Sequence, residues 1–130
     1  APTSLRVHIQ EHSSSVLLTT LQGRLENFKY GNNELKHQTF AELIGGYLAL
    51  DAQIPEYRQA LERELSGSLN HTAGRQYNYN LTAFWEDAAH PVKSISVGER
   101  APGDSYAEGT YISMPASGRV VVILRLWEQE

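Results

Sequence analysis

The stretch RQYNYNLTAFWEDAAH, residues 75–90, ends in side chains that can do acid–base chemistry. His90 can serve as a general base, Glu86 as an acid, and Arg100 as a cation that binds an oxyanion or a phosphate. Catalysis requires these groups to reach one substrate atom, and sequence spacing does not establish that geometry. A small hydrolase or lyase that uses these three residues is therefore one hypothesis, although the chain contains no recognisable catalytic motif.

The same stretch alternates aromatic and amide side chains, which predicts a strand. Tyr77, Tyr79 and Trp85 fall on one face, together with the apolar residues between them, and Asn78 and Asn80 fall on the opposite face. All five are candidate ligand-binding residues. Because the aromatic face is also the apolar one, we expect it to pack in the core. The amide face is then the better candidate for an exposed recognition surface.

A second candidate contact region is GERAPGDSYAEG, residues 98–109, between two predicted strands. A connection of this length is long for a hairpin, and long loops between strands often carry recognition residues. Arg100, Asp104 and Tyr106 are the side chains that we expect to contact a ligand. The glycines in this loop lack the order and the lysine of a phosphate-binding loop, so no nucleotide cofactor is expected.

No metal site and no cofactor are predicted. The chain has no cysteine, which excludes thiolate ligands and disulfides. His8 and His12 lie in a segment that alternates like a strand, where positions four apart are about 13 Å apart and do not reach one ion. The two histidines are therefore interpreted as solvated side chains.

Length and charge limit the other possibilities. With 130 residues, 41% hydrophobic and 20% charged, the chain is expected to form one domain over residues 1–130. The formal charge of −4 and the absence of a basic cluster argue against nucleic acid. No apolar run is long enough to span a membrane. The first residue is alanine, and a secreted or periplasmic location is slightly favoured.

The first half of the chain mixes two periods. Residues 5–12 alternate and predict a strand. Residues 16–30 allow a helix or a strand. The helix is slightly favoured, with a cap at Ser14 or Ser15, a terminator at Gly31, and a stripe formed by Leu17, Leu18, Leu21, Leu25 and Phe28.

Two further helices have clear signals. Thr39 and Glu42 form a capping box in front of an apolar stripe that reaches Leu48, although Gly45 and Gly46 interrupt it and require close packing or an early end. A second helix is predicted to begin at Pro55, to bury Tyr57, Leu61 and Leu65, and to stop at Gly67.

The period changes to two from residue 75 onwards, and strands are predicted at 75–86, 92–98, 109–114 and 119–128. The last is apolar on both faces, which indicates a central strand. Short connections favour a meander. The predicted fold class is α+β, an antiparallel sheet of one N-terminal and about four C-terminal strands, with two or three central helices on one face.

These patterns favour a non-enzymatic binding domain that recognises a protein or carbohydrate partner through a sheet face and the 98–109 loop. The acid–base enzyme is the first alternative. The second is a structural subunit of a larger assembly, in which apolar surface on an edge strand pairs with a neighbour, and a homo-oligomer is also considered.

Overall fold

The structure is a computed structural model of the 130-residue chain, and it describes residues 2–49, 54–73, 77–86, 94–114 and 118–129. These residues form an α+β fold, which confirms the predicted class. The elements in chain order are α1 (Pro2–Gln22), β1 (Arg24–Tyr30), β2 (Asn33–Thr39), α2 (Phe40–Ala49), α3 (Pro55–Thr72), β3 (Tyr77–Trp85), β4 (Ser94–Gly98), β5 (Tyr106–Met114) and β6 (Gly118–Glu128).

The four C-terminal strands form one antiparallel sheet in the order β4-β3-β6-β5. The central position predicted for the last strand is confirmed, because β6 pairs with both β3 and β5. The meander order is wrong, since β4 and β5 lie at opposite edges of the sheet. The physical reason is that β3 and β6 carry the most completely buried residues, which need neighbouring strands on both sides.

One face of this sheet is the core. Leu81 and Ala83 of β3 and Val122 and Leu124 of β6 are fully buried there, and the alternating positions of both strands continue the pattern. The helices cover this face. The Trp85 indole Nε1 donates to the Leu48 carbonyl at the end of α2, 2.7 Å away, and thereby ties the sheet to that helix.

The N-terminal segment is a helix, so the strand predicted over residues 5–12 is wrong. A short alternating window does not distinguish the two periods, whereas the buried residues of the following turns recur with helical spacing. These buried residues are Ser13, Val16, Leu17, Thr20 and Leu21. Leu18, placed in the predicted stripe, is 52% exposed instead.

Residues 16–30 contain both of the structures that the sequence allowed. The helix ends at Gln22, where the Gly23 N–H donates to the carbonyls of the last turn, and Ser14 and Ser15 lie inside α1 rather than at its cap. Residues 24–30 form β1, which pairs with β2 as a separate two-stranded sheet. Gly31 is a hairpin turn residue and not a helix terminator, because its φ of 57° suits a two-residue turn between the strands.

The β1–β2 hairpin is held to the helices by aromatic contacts. Phe28 of β1 is 1% exposed, and its ring lies 5.0 Å from the ring of Tyr57 in α3 with edge-to-face geometry. Tyr30 contacts the same tyrosine at 4.8 Å. Burial raises the pKa of Tyr57, whose hydroxyl donates to the Leu43 carbonyl of α2.

The start of α2 is the predicted capping box. The Thr39 hydroxyl accepts from the Glu42 N–H at 3.1 Å, and the Glu42 carboxylate accepts from the Thr39 N–H at 3.1 Å. These hydrogen bonds hold the pKa of Glu42 below its ordinary value. Inside the helix, Gly46 permits a close approach, because a Cβ there would lie 3.1 Å from the Tyr57 hydroxyl oxygen.

The third helix begins at Pro55 as predicted, and Tyr57, Leu61 and Leu65 are buried. The predicted stop at Gly67 is wrong, since α3 continues to Thr72. Leu69 extends the apolar stripe by another turn and is 0% exposed. Burial of a leucine is worth about 2 kcal/mol, which exceeds the cost of a glycine in an exposed helical position, about 1 kcal/mol.

We expect Thr39→Ala to lower the free energy of unfolding by about 1 kcal/mol, because the first turn of α2 loses its cap. Urea unfolding of the variant and of Thr39→Ser, which keeps the hydroxyl, measures the loss. Because the folded-state pKa of Glu42 is lowered from 4.5, its stabilising contribution is present above that value and disappears as the pH falls through the lowered pKa. If the loss of unfolding free energy caused by Thr39→Ala does not become smaller in acid, the capping role of Glu42 is contradicted.

Two glycines are expected to respond to alanine in opposite directions. Gly67 is helical with nothing within 4 Å of a Cβ, so Gly67→Ala should raise the unfolding free energy by about 0.5 to 1 kcal/mol. Gly98 has φ of 97°, and a Cβ there would overlap the Tyr79 carbonyl oxygen. Gly98→Ala should therefore cost about 2 kcal/mol or more. Thermal unfolding of both variants tests the pair, and equal effects would contradict it.

Candidate functional site

The sheet has a second face, which points away from the helices and is called the open face below. It consists of the even-numbered residues of β3 from Asn78 to Phe84, the odd-numbered residues of β6 from Arg119 to Trp127, and the neighbouring positions of β4 and β5. None of its described side chains is buried, whereas the alternate residues of β3 from Tyr77 to Trp85 and of β6 from Val120 to Leu126 are. No described element therefore covers this face as the helices cover the other.

One end of the open face is polar and its groups bond to one another. The Asn80 Nδ2 donates to the Glu99 carbonyl at 2.9 Å and to the Ser96 hydroxyl at 3.3 Å. The Asn80 Oδ1 accepts from the Thr82 hydroxyl at 2.9 Å. The amide of Asn80 thus anchors the start of the loop that leaves β4, and its hydrogen-bonding capacity is largely used within the fold.

The other end of the open face is apolar. Strand register places Phe84 of β3 beside Val121 of β6, and Val121 beside Tyr111 of β5, so that these three residues form a row across the sheet. Ile123 lies in the next row, between Thr82 and Gly109. Phe84, Val121 and Ile123 are half-buried, and Tyr111 is 54% exposed. We use the name apolar row for Phe84, Val121 and Tyr111 together with Ile123 of the adjoining row.

An ion pair borders the apolar row. The Arg119 Nη2 lies 2.7 Å from the Glu86 Oε2, and the Arg119 Nε donates to the same oxygen at 2.8 Å. The guanidinium carbon is 4.3 Å from the centre of the Tyr111 ring, a cation–π distance. Both charged side chains are about half exposed, so water screens the pair and its main effect is to orient the arginine over the ring.

The predicted aromatic residues lie on the helix side. Tyr77, Tyr79 and Trp85 are 6%, 9% and 9% exposed, which confirms that the ring face packs in the core. The Tyr79 hydroxyl donates to the Asn70 Oδ1 at 2.7 Å, and burial raises the pKa of this tyrosine. These side chains have partners within the fold, so they are not accessible to a ligand on the open face.

The remaining predicted contact residues are dispersed. Asn78 lies on the open face opposite Trp127, as the alternation predicted. The 98–109 region is shorter as a loop than predicted, because β5 begins at Tyr106. Arg100 and Asp104 are exposed in the remaining loop.

Tyr106 belongs to the helix side of the sheet rather than to the loop. Register pairs it with the buried Leu126, and its hydroxyl donates to the Glu108 carboxylate at 3.0 Å. Burial and this hydrogen bond raise the pKa of Tyr106.

The structure does not bring Glu86 and Arg100 together. The Glu86 N–H donates to the Arg119 carbonyl at one end of β3. The N–H of Glu99, the residue before Arg100, donates to the Tyr79 carbonyl near the other end. These two points are seven positions apart along the chain, which corresponds to roughly 23 Å in an extended strand. His90, the predicted base, lies outside the described residues. Glu86 is paired with Arg119 and not with Arg100, and because His90 is not described, the acid–base roles assigned to these residues stay predictions.

The strand spacing of about 13 Å predicted between His8 and His12 is wrong. Residues 8 and 12 lie in a helix, where positions four apart occupy one face, and not in a strand. The side chain of His8 lies outside the described part of the structure. Among the described residues, no group of three or more histidine, aspartate or glutamate side chains is placed to hold a metal ion. No described helix is long and apolar enough to cross a membrane.

The residues of the apolar row are not among the predicted site residues. The signal was present in RVVVILRLW, which carries apolar residues at both even and odd positions. By itself that pattern predicts a central strand. On a sheet with helices on one side, it also means that the apolar residues of the other parity remain uncovered.

A separate set of polar groups is buried beneath α1. The hydroxyls of Ser13 and Thr20 and the Nε2 of His12 are buried without a hydrogen-bond partner among the described residues. Ser13 and Thr20 are 0% and 1% exposed. The His12 ring is 5.3 Å from the Tyr77 ring, so α1 contacts the sheet through polar as well as apolar side chains. Each unpaired buried group costs about 1 to 3 kcal/mol.

We expect Thr20→Val to raise the free energy of unfolding by about 1 to 2 kcal/mol, because a methyl group of similar size replaces a buried hydroxyl that has no partner within the described structure. Thr19→Val is the matched control, since Thr19 is exposed in the same helix and the two residues have similar helix propensities. Chemical denaturation of both variants provides the measurement. A loss of stability in Thr20→Val would show that the hydroxyl has a partner.

Comparison with known proteins finds no protein-family model, no curated protein and no solved structure that matches this chain.

Proposed function

We propose that this chain is a non-enzymatic binding domain and that the open face of its sheet contacts a protein partner. The observation that carries the proposal is the apolar row, which lies on a sheet face that no described element covers. When a partner removes contiguous apolar side chains on an uncovered surface from water, the free energy of the system falls, which favours binding. On the opposite face of the same strands, the helices form a layer that buries the apolar side chains.

The residue types of the open face support a protein rather than a carbohydrate. Tyrosine, tryptophan and arginine are the residues that dominate the energetics of protein interfaces, and the face carries Tyr111, Trp127 and Arg119. A sugar site requires amide and hydroxyl groups that are available beside a ring. Among the described residues, strand register places no amide beside the Tyr111 ring, and the amide of Asn80 is engaged with the backbone and with neighbouring hydroxyls at the other end of the face.

Charge indicates what the partner should look like. Whereas the chain carries a formal charge of −4, the described positions of the open face include Arg119 and Arg125, and one carboxylate, Glu86, follows the end of β3 beside Arg119. A partner with apolar side chains surrounded by carboxylates would match both the row and its border.

The proposal is tested by panning a random peptide library on the immobilised protein and measuring the selected peptides by calorimetry. Peptides rich in apolar and acidic residues are expected. Tyr111→Ala should weaken their binding about tenfold or more, because it removes the most exposed ring of the apolar row.

Leu18→Ala is the matched control, because Leu18 in α1 is 52% exposed and Tyr111 is 54% exposed, and the two lie on different elements. Binding to the control should equal that of the unchanged protein. Peptides that bind Tyr111→Ala and the unchanged protein equally would overturn the proposal. So would a glycan array in which a sugar, and no peptide, depends on Tyr111.

A further inference from the structure

The outer edge of β5 is long and weakly protected. β5 spans nine residues, Tyr106–Met114, and Glu108 is its only charged residue. It contains no proline, lysine or arginine, which are the residues that usually prevent an edge strand from pairing with another chain. The opposite edge strand, β4, has five residues and is therefore a poorer template. In the described part of the chain, no strand pairs with the outer side of β5.

We propose that β5 pairs antiparallel with the β5 strand of a second copy of this chain, about a two-fold axis that passes through Thr110. Antiparallel self-pairing is what a two-fold axis perpendicular to a sheet produces at its edge. With Thr110 at the centre, all nine residues of β5 find a partner, whereas a shift in either direction leaves part of the strand unpaired. The proposal concerns the sheet edge and does not depend on the open face binding a protein.

This register makes β5 complementary to itself. Gly109 lies opposite Tyr111 of the partner subunit, so an exposed ring covers a glycine that has no side chain of its own. Aromatic residues opposite glycine are known to stabilise edge pairs. Tyr111 is 54% exposed and is available for this contact, and Arg119 already orients its ring. Glu108 lies opposite Ile112 of the partner subunit, so the only charge of the strand does not face its own copy.

The paired sheets also keep their layers. The two-fold axis is perpendicular to the sheet, so both sets of helices remain on one side and both open faces on the other. Residues on the helix side of β5, such as Thr110 and Ile112, are only half-buried, whereas their neighbours Val122 and Val120 on β6 are fully buried. A second copy would remove this edge from water.

Gly109 offers a variant that separates pairing from folding. A Cβ at this position would lie 3.7 Å from the Val122 carbonyl oxygen and 3.9 Å from the Ile123 Cγ1, which are ordinary contacts. Gly109→Lys should therefore fold, and its side chain would occupy the space of the partner's Tyr111. Ser94→Lys on β4 introduces the same charge on an exposed position of the other edge.

Sedimentation equilibrium at micromolar concentrations measures the association, and circular dichroism checks that the variants fold. The unchanged protein should dimerise, Gly109→Lys should weaken dimerisation about tenfold or more, and Ser94→Lys should leave it unchanged. A protein that stays monomeric up to millimolar concentration would overturn the proposal. Equal weakening by both lysine variants would also overturn it.

The register is tested with single cysteines, since the natural chain has none. Directly opposed residues of an antiparallel pair have Cα atoms about 4.5 to 5.5 Å apart, within the range that a disulfide bridges. Thr110→Cys should thus form a disulfide-linked dimer under mild oxidation, while Ser94→Cys should not. Crosslinking of Ser94→Cys as rapid as that of Thr110→Cys would show random collision and would contradict the register.

Discussion

The antiparallel register between β3 and β6 is the constraint on which the rest of the structure depends. It aligns Leu81 with Leu124 and Ala83 with Val122, and thereby sends one parity of both strands into the core. Slipping the register by one residue would exchange the two faces of β6 and expose these residues. The helices attach to the face that this register defines, through Trp85 to α2 and Tyr79 to α3.

Local signals predicted the elements that local interactions determine. The capping box of Thr39 and Glu42 and the proline at the start of α3 were read correctly, because each acts through neighbouring backbone groups. The alternation of β3 correctly assigned Tyr79 to the core and Asn80 to the open face. The strand order was not predictable in this way, since it depends on which strands must have neighbours on both sides.

The first helix shows why periodicity failed at the N-terminus. Its core-facing stripe mixes Val16 and Leu17 with Ser13 and Thr20, so the apolar pattern that marks an amphipathic helix is interrupted. The preceding segment, residues 5–12, alternates over too few residues for the alternation to distinguish a strand from a helix. Tertiary contacts with the sheet and with the other helices therefore select the helix, at the cost of buried hydroxyls that have no hydrogen-bond partner among the described residues.

The exposure of the open face and the exposure of the β5 edge have the same structural cause, and the two surfaces share one residue, Tyr111. A single layer of helices covers only one side of a four-stranded sheet, so apolar residues of the other parity and the backbone of the outer strand both remain in contact with water. Tyr111 belongs to both surfaces, because it ends the apolar row and lies on the edge strand. If two β5 strands pair, each tyrosine covers a glycine of the other copy, and the two rows become parts of one continuous face. A partner that contacts both rows would then bind more tightly than two separate contacts allow, because the second contact is intramolecular.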